Sequence, residues 1–149
     1  MTEKAQKDVD VLIIGAGSGG YVAAIRAAQL GRKVVLVDKA ELGGVCLNRG
    51  CIPSKALISA SERVKHIKGA NPMGITVSGE VEVDMPEVVK WKDGVVNKLT
   101  SGVQSLLKGN GVEVISGEAY LTEPHTVRVR TENGEQFYYY KDLILAIGS

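Results

Sequence analysis

Residues 9–38 constrain the fold of this chain more than any other segment. Residues 9–14 are apolar and mostly β-branched apart from Asp10, which is typical of a strand buried on both faces of a parallel sheet. A glycine-rich stretch follows at residues 15–20, and the small residues at positions 21–30 then predict a helix. Residues 33–38 predict a second strand of the same buried type. Strand, turn, helix and strand together have the size of one βαβ unit.

The turn of this unit carries the pattern GxGxxG on Gly15, Gly17 and Gly20. The first glycine permits the tight turn, the second lets the backbone approach a pyrophosphate, and the third lets the helix pack closely on the strand. Asp38 lies 23 positions after Gly15, where a carboxylate accepts hydrogen bonds from both ribose hydroxyls and disfavours a 2′-phosphate. The pattern predicts a dinucleotide site. Alone, it does not separate FAD from NAD, and a glycine turn without a ligand is the alternative.

Cys46 and Cys51 form a second motif, in the run GGVCLNRGCIPSK. In a regular helix, positions five apart point about 140° away from each other and lie too far apart for an S–S bond. A disulfide therefore requires a loop or a distorted turn, which Gly50 helps to supply. A metal site is disfavoured because His66 and His125, both expected on the surface, lie far away in sequence. Two inert buried thiols are the other alternative.

The remaining sequence predicts two further helices. One is expected from about residue 53 to residue 68, after a glycine-rich loop at residues 41–46. The other begins at Pro86, placed at the first helical position, and runs to about residue 108. Apolar residues at helical spacing predict its packing face. They are Val88, Trp91, Val95, Leu99, Val103 and Leu106.

The strands expected outside the βαβ unit lie mostly in the last third of the chain. Residues 112–121 and 126–140 are predicted to be antiparallel, with Asn133-Gly134 as a hairpin turn. Residues 142–147 predict another buried strand. Residues 70–85 predict a loop with a short strand.

Composition and charge narrow the class of protein. The 149 residues are 44% hydrophobic and 23% charged, as in one globular domain. The formal net charge of +1 provides no long-range field for nucleic acid or an anionic membrane, so neither is expected as a partner. The apolar stretch at residues 9–30 is too interrupted for a transmembrane helix, and the charged start does not read as a secretory signal. Two cysteines are too few for a secreted disulfide scaffold, so we expect a cytoplasmic location.

The runs GAGSGGYVAAIRAAQLG and GGVCLNRGCIPSKALISAS closely resemble the class I pyridine nucleotide–disulfide oxidoreductases. The resemblance extends over nearly the whole chain, including the segments GEAYL and DLILAIGS. Glutathione and mercuric reductases share the Cys-x4-Cys core, but the sequence CIPSKALI is most similar to that of the branch that oxidises dihydrolipoamide. The resemblance implies an α/β fold. The expected architecture is a Rossmann-like FAD-binding domain whose parallel sheet has helices on both faces and an antiparallel β-hairpin addition.

The resemblance also implies roles for individual residues. Cys46 would exchange with the substrate dithiol, and Cys51 would lie against the flavin of FAD. Lys55 matches the family lysine near the flavin ring, where an ammonium stabilises negative charge, although a solvated helix lysine is the alternative. Gly117 and Ala119 match the segment on the adenine side. The implied cofactor-binding residues are Gly15, Gly17, Ser18, Gly20, Asp38, Lys39, Gly43, Gly44, Val45, Cys46, Lys55, Gly117, Ala119, Gly148 and Ser149.

Four positions depart from the usual family pattern. Asp38 stands in place of a glutamate and reaches less far toward the ribose. Val45 and Ile147 replace threonines, which removes two hydroxyl groups. Arg49 replaces a valine and adds charge beside the cysteine pair.

The resemblance implies three partners. They are dihydrolipoamide on the lipoyl domain of E2, a component of 2-oxo-acid dehydrogenase complexes, the subunit-binding domain of E2, and a second copy of the chain in a homodimer. NAD+ would be the final acceptor in the complete enzyme. Residues 1–149 contain neither a second GxGxxG nor a match to the catalytic histidine of the family. We therefore interpret them as the N-terminal segment of the FAD-binding domain, without the NAD and dimer-interface domains, and expect no turnover by this chain alone. A glutathione or mercuric reductase-type flavoprotein and a non-catalytic flavin-binding module are the alternatives.

Overall fold

The architecture follows from a computed structural model that describes residues 6–69 and 73–148. Within these ranges the chain forms six strands and four helices. In order they are β1 (Gln6–Ile14), α1 (Ser18–Gln29), β2 (Val34–Asp38), α2 (Gly44–Asn48), α3 (Cys51–Lys68), α4 (Met85–Gly109), β3 (Glu113–Ser116), β4 (Glu118–Glu123), β5 (Thr126–Thr131) and β6 (Gly134–Leu145). The predicted βαβ unit is present as β1, α1 and β2.

The six strands form one mixed sheet in the order β3-β2-β1-β6-β5-β4. β1 pairs in parallel with β2 on one side and with β6 on the other, and β3 is parallel to β2. β4, β5 and β6 are antiparallel to one another in sequence order. β6 belongs to both halves of the sheet, because residues 134–139 pair with β5 while residues 137–145 pair with β1. The predicted α/β class, with its antiparallel addition, is confirmed.

Side chains on β1 and β2 alternate between two hydrophobic cores. The first core lies under α1 and α4 and contains Val11, Ile13, Ala16, Ala24, Val34, Leu36, Leu107 and Val112. The second core contains Val9, Leu12, Val35, Val37, Ile115, Val127, Val129, Tyr138 and Tyr140. Within the described residues, this second core is built from strands alone. A helix was also expected on this face of the sheet. The antiparallel strands cover it instead, because alternate residues along β5 and β6 are apolar and are buried in this core.

Two strand predictions are wrong. Residues 112–121 were expected to be antiparallel to the next stretch, but β3 is parallel to β2 and only β4 joins the antiparallel strands. The reason is that the α4 crossover returns the chain to the edge of β2, and such a crossover joins parallel strands. Residues 142–147 are not a separate buried strand. Residues 142–145 complete β6, and Leu145 and Ile147 are 57% and 71% exposed. The short strand predicted within residues 70–85 does not occur in residues 73–84, and residues 70–72 lie outside the described residues.

The helix predictions need three corrections. α1 begins at Ser18, three residues earlier than expected, and α2 occupies part of the predicted loop. α4 begins after its N-cap Asp84, whose carboxylate accepts a hydrogen bond from the Glu87 N–H at 3.2 Å, so Pro86 stands at the second helical position.

The packing face predicted for α4 is also displaced. Leu107 is buried in place of Leu106, and Val96 is buried while Trp91 is 49% exposed. Adjacent apolar residues leave the sequence pattern ambiguous by one position, or about 100° around the helix. No helix in residues 6–69 or 73–148 has the length and apolar character needed to cross a membrane.

Asp10 connects β1 to its neighbours on both sides. Its carboxylate accepts hydrogen bonds from the Lys141 ammonium at 2.6 Å and from the Lys33 backbone N–H at 2.9 Å. The pKa of Asp10 lies below its ordinary value of 3.8, mainly because of the hydrogen bond from Lys141 and to a smaller extent because of the bond from the Lys33 backbone. The resulting stabilisation is present above that ordinary value and is lost as the pH falls through the lowered pKa.

We therefore expect Asp10→Asn to lower the urea midpoint at pH 6 and to have a smaller effect at pH 3. The variant lacks the carboxylate whose protonation weakens the parent chain in acid. Urea titrations of both chains at the two pH values measure the difference. If the difference in urea midpoint between the two chains were the same at pH 6 and at pH 3, Asp10 would not contribute to the acid sensitivity of the fold.

Candidate functional site

The glycine turn between β1 and α1 is closed by backbone on one side and open on the other. Gly15 has a φ of +103°, and a Cβ there would overlap the carbonyl oxygen of Ala146. A Cβ on Gly20 would overlap the carbonyl oxygen of Gly15. A Cβ on Gly17, in contrast, would meet no atom of the described chain within 4 Å. Gly15 and Gly20 are therefore required by close packing, whereas Gly17 leaves open space in front of α1.

This open space lies at the N-terminus of α1. The N-cap residue is Gly17, and neither a capping side chain nor an acidic first-turn residue is found there in the described chain. Ser18 and Gly19 are exposed. Uncapped N–H groups and the helix dipole favour an anion at such a point. The turn therefore fits the pyrophosphate of a dinucleotide.

Asp38 lies at the end of β2, beside the glycine turn. One carboxylate oxygen accepts a hydrogen bond from the Ala16 N–H, and the other accepts one from the Ala40 N–H at 2.7 Å. The side chain thus fastens the turn to β2, a role that the sequence analysis missed. Each carboxylate oxygen has a second lone pair, so these bonds are compatible with the predicted ribose contact.

The junction between β3 and β4 lies next to Asp38. The Gly117 N–H donates to the Asp38 carbonyl at 2.8 Å, and a Cβ on Gly117 would lie 2.6 Å from the Arg130 carbonyl oxygen. Ala119 is half-buried against the second core. The exposed Lys39 ammonium is 3.9 Å from the Glu118 carboxylate. The two segments predicted for the adenosine side of the cofactor are therefore adjacent.

The second glycine-rich segment packs directly on the first. The Gly43 N–H donates to the Ala16 carbonyl at 2.8 Å. Gly44 has a φ of +63°, and a Cβ there would lie 2.8 Å from the Cα of Gly17. Val45 follows on the surface, 70% exposed. The structure therefore joins the GxGxxG turn to the segment that leads into the cysteine pair.

Cys46 and Cys51 are joined by a disulfide bond, with their Cα atoms 4.7 Å apart. Cys46 lies in α2 and is half-buried, while Cys51 is the first residue of α3 and is exposed. Arg49 and Gly50 are the cap residues that separate the two helices. The predicted break in the helix is confirmed, and the pair is not two buried thiols, because the cysteines are bonded and Cys51 is exposed.

Two basic residues lie near the disulfide in sequence. The Arg49 guanidinium donates to the Glu41 carboxylate at 2.8 Å, and this bond raises the pKa of Arg49. The charge that Arg49 adds is thus paired with Glu41. Lys55 is exposed one helical turn after Cys51, so the two residues share a face of α3.

The remaining predicted cofactor-binding residues lie in the segment that follows β6. The Ala146 N–H donates to the Ile14 carbonyl at 2.8 Å, which places residues 146–148 beside the glycine turn. Gly148 is exposed and has a φ of +74°. Ser149 lies outside the described residues. His66 and His125 are exposed as expected, and His125 lies in the turn between β4 and β5.

Asn48 is a residue of the site that the sequence analysis missed. Its side-chain amide donates to the Leu42 carbonyl at 3.0 Å and to the Gly44 carbonyl at 2.9 Å. Its oxygen accepts a hydrogen bond from the Thr100 hydroxyl of α4 at 3.5 Å. The available signal was an asparagine just after a glycine-rich loop, since short amide side chains often bond to nearby backbone.

Comparisons with known proteins agree with this geometry. Residues 9–149 match the family model described as pyridine nucleotide-disulphide oxidoreductase. The chain is 59% identical over 142 residues to a dihydrolipoyl dehydrogenase of Bacillus subtilis, and 51% identical over 143 residues to one of Thermus scotoductus. These alignments cover 95% and 96% of this chain, which spans about 30% of the length of either relative.

A similar fold occurs in a solved structure, the Cu(II) complex of the HOCl-induced flavoprotein disulfide reductase RclA from Escherichia coli. The TM-score is 0.78 at 26% sequence identity, and the match covers 96% of this chain and 29% of that one. The resemblance inferred from the sequence is confirmed. This chain, whose glycine turn packs against the segment that leads into the Cys46–Cys51 disulfide, belongs to the pyridine nucleotide-disulphide oxidoreductase family.

Proposed function

We propose that this chain is the FAD-binding and redox-disulfide portion of a dihydrolipoyl dehydrogenase, which in complete form oxidises dihydrolipoamide and reduces NAD+. The observation that carries the proposal is the Cys46–Cys51 disulfide, placed on a segment that packs against the open nucleotide turn. The 59% identity to a dihydrolipoyl dehydrogenase supports this substrate over glutathione or mercuric ion.

The residues around the open turn fit FAD. Gly17 and the first N–H groups of α1 would hold the pyrophosphate, and Asp38 would bind the ribose. Gly117 and Ala119 would line the adenine side, and Lys55 would lie near the flavin ring. The remaining contacts would come from Gly15, Ser18, Gly20, Lys39, Gly43, Gly44, Val45, Cys46, Gly148 and Ser149. When bound, FAD supplies a two-electron acceptor for the reduced cysteine pair.

The disulfide can carry out the first half of this reaction by thiol–disulfide exchange. A thiolate of the substrate dithiol attacks the Cys46 sulfur, the S–S bond breaks, and Cys51 leaves as a thiolate. The second substrate thiol then attacks the mixed disulfide and releases Cys46. The substrate is oxidised to a disulfide, and the cysteine pair gains two electrons and two protons. Cys51 begins α3, where the helix dipole stabilises its thiolate.

The complete enzyme would form a homodimer and bind the E2 subunit-binding domain, with dihydrolipoamide delivered on a lipoyl domain. The dihydrolipoyl substrate is supported by the names of the relatives, of whose length this chain spans about 30%, and the other partners by the family resemblance of the sequence. We also propose a cytoplasmic location, because a reducible disulfide that must cycle suits a reducing compartment.

The visible absorption spectrum tests the proposal. The purified chain is mixed with FAD, passed through a desalting column, and measured before and after dihydrolipoamide. We expect flavin absorbance to stay with the protein and to gain a long-wavelength charge-transfer shoulder after the dithiol. With NAD+ and dihydrolipoamide, we expect no sustained turnover by residues 1–149, because they hold neither a second GxGxxG nor the family histidine.

Three results would contradict the proposal. Flavin that elutes without the protein would show that this chain does not bind FAD by itself. Retained flavin without a response to the dithiol would favour a non-catalytic flavin-binding module. Sustained NAD+ reduction would show that the chain holds a complete catalytic apparatus.

A further inference from the structure

We propose that the Asn48 carboxamide is a positioning residue that sets the equilibrium between the Cys46–Cys51 disulfide and its dithiol, an inference that rests on the proposed redox function. Asn48 lies inside the ring that the disulfide closes, two residues after Cys46. Its side chain bonds the last residue of α2 to the segment that enters the helix.

α2 depends on such bonds because it has only five residues. Isolated helices of this length are unstable in water, so α2 requires additional contacts. The Asn48 amide supplies two local ones, to the Gly44 carbonyl at the start of the helix at 2.9 Å and to the Leu42 carbonyl before it at 3.0 Å. Both donor hydrogens of the amide are therefore used, and both act on the backbone that carries Cys46.

Residues 42–44, to which Asn48 bonds, are themselves attached to the glycine turn between β1 and α1. Gly43 donates to the Ala16 carbonyl at 2.8 Å, and Gly44 packs against the Cα of Gly17. Asn48 therefore connects the first cysteine to the β1–α1 turn. Cys51 is fixed separately, because it begins the 18-residue helix α3.

This connection affects the dithiol more than the disulfide. In the disulfide, the covalent ring keeps α2 close to α3 whether or not Asn48 is present. In the dithiol, only non-covalent contacts hold Cys46 near Cys51. Loss of the Asn48 bonds therefore gives the dithiol extra conformational freedom and lowers the effective concentration of one thiol at the other. The expected result is a less stable disulfide.

The test is the equilibrium of the 149-residue chain with reduced and oxidised glutathione, read as the fraction of disulfide by alkylation and mass spectrometry. For Asn48→Ala we expect the equilibrium constant for disulfide formation to fall about tenfold, the effect of two ordinary hydrogen bonds. This change corresponds to a potential about 30 mV higher for a two-electron couple. Asn48→Asp keeps the shape but turns an oxygen toward two carbonyls, so we expect a shift at least as large.

Two control variants separate positioning from general stability. Asn110 also donates its side-chain amide to the carbonyl four residues earlier, that of Leu106, at 2.8 Å. Asn110→Ala removes a comparable bond at the far end of α4, so we expect lower stability with an unchanged glutathione equilibrium. Thr100→Val removes the 3.5 Å contact to the Asn48 oxygen but leaves both donor bonds intact. We expect no change in the equilibrium for this variant either.

An Asn48→Ala chain with the parent equilibrium constant would overturn the proposal, as would an equal shift in Asn110→Ala. A second measurement, on the parent chain, tests the proposal even if the Asn48 variants do not fold. In the oxidised parent chain, we expect the Asn48 side-chain amide protons to exchange slowly with solvent in NMR spectra, and rapid exchange would also overturn the proposal. Glutathione is the probe, so the result does not depend on the reaction with dihydrolipoamide, whose failure would count against the proposed function alone.

Discussion

The Gly20→Ala chain is expected to unfold at a much lower urea concentration than the parent chain. Gly20 is the third residue of α1, where helix propensity alone predicts that alanine stabilises by about 1 kcal/mol. The packing predicts the opposite, because the added Cβ would overlap the Gly15 carbonyl oxygen. Strand and helix must separate to admit it, at a cost of about 3 kcal/mol or more. Urea denaturation followed by far-UV circular dichroism measures the difference.

Its neighbours provide matched controls. A Cβ on Gly19 would lie 3.9 Å from the Ala146 Cβ, an ordinary contact, so Gly19→Ala should keep or slightly raise the stability. Gly17→Ala should also remain folded, because a Cβ there enters the open space. That space is the proposed pyrophosphate site, so we expect Gly17→Ala to weaken FAD binding about tenfold or more, equal to about 1.4 kcal/mol. Equal stability of Gly19→Ala and Gly20→Ala would contradict the packing argument.

Replacing either cysteine by serine is expected to abolish oxidation of dihydrolipoamide by the chain. The parent chain holds two cysteines in one disulfide, so one equivalent of the substrate dithiol converts it to a chain with two thiols. Cys46→Ser and Cys51→Ser retain one thiol and have no disulfide within the chain to accept the electrons. Thiol titration of the denatured protein, before and after the dithiol, measures this loss.

The Cys51→Ser chain also tests the exchange step at Cys46 directly. In Cys51→Ser, a thiolate at Cys46 should attack excess oxidised glutathione, release one glutathione thiolate and form a mixed disulfide that persists, because no second cysteine is present to displace the bound glutathione. Intact-mass measurement detects this adduct. Ser61→Ala in α3 is the control, because Ser61 lies ten residues after Cys51 and its hydroxyl donates to the Ile58 carbonyl, so this variant should cycle as the parent does. Oxidised lipoamide produced by a monomeric single-cysteine chain would contradict the exchange mechanism.

Local patterns predicted the part of the fold that surrounds the cofactor site. β1, the glycine turn, α1 and β2 follow one another without long-range pairing decisions, and each has its own sequence signal. The break between Cys46 and Cys51 was also predictable, because an S–S bond is incompatible with a regular helix at that spacing. These features depend on the chemistry of neighbouring residues, which the sequence shows directly.

Features that depend on distant partners were not predictable in the same way. β3 pairs with β2 because the crossover through α4 returns it there, and nothing within residues 113–116 indicates a parallel partner. α2 is too short for helical periodicity to be visible. The bonds from Asp38 to Ala16 and from Asn48 to Leu42 depend on how two loops meet in space. For such contacts the sequence indicates the side chains available but not the backbone groups they reach.

The central position of β1 in the sheet has a consequence for biosynthesis. Among the described strands, β1 leaves the ribosome first and its partner β6 leaves last, and the bond between Asp10 and Lys141 spans 131 positions. At about 5–20 residues per second, translation separates them by roughly 7 to 26 s. During this interval one edge of a very apolar strand has no partner within the described chain, which makes the nascent protein a natural client for chaperones that shield exposed strand edges.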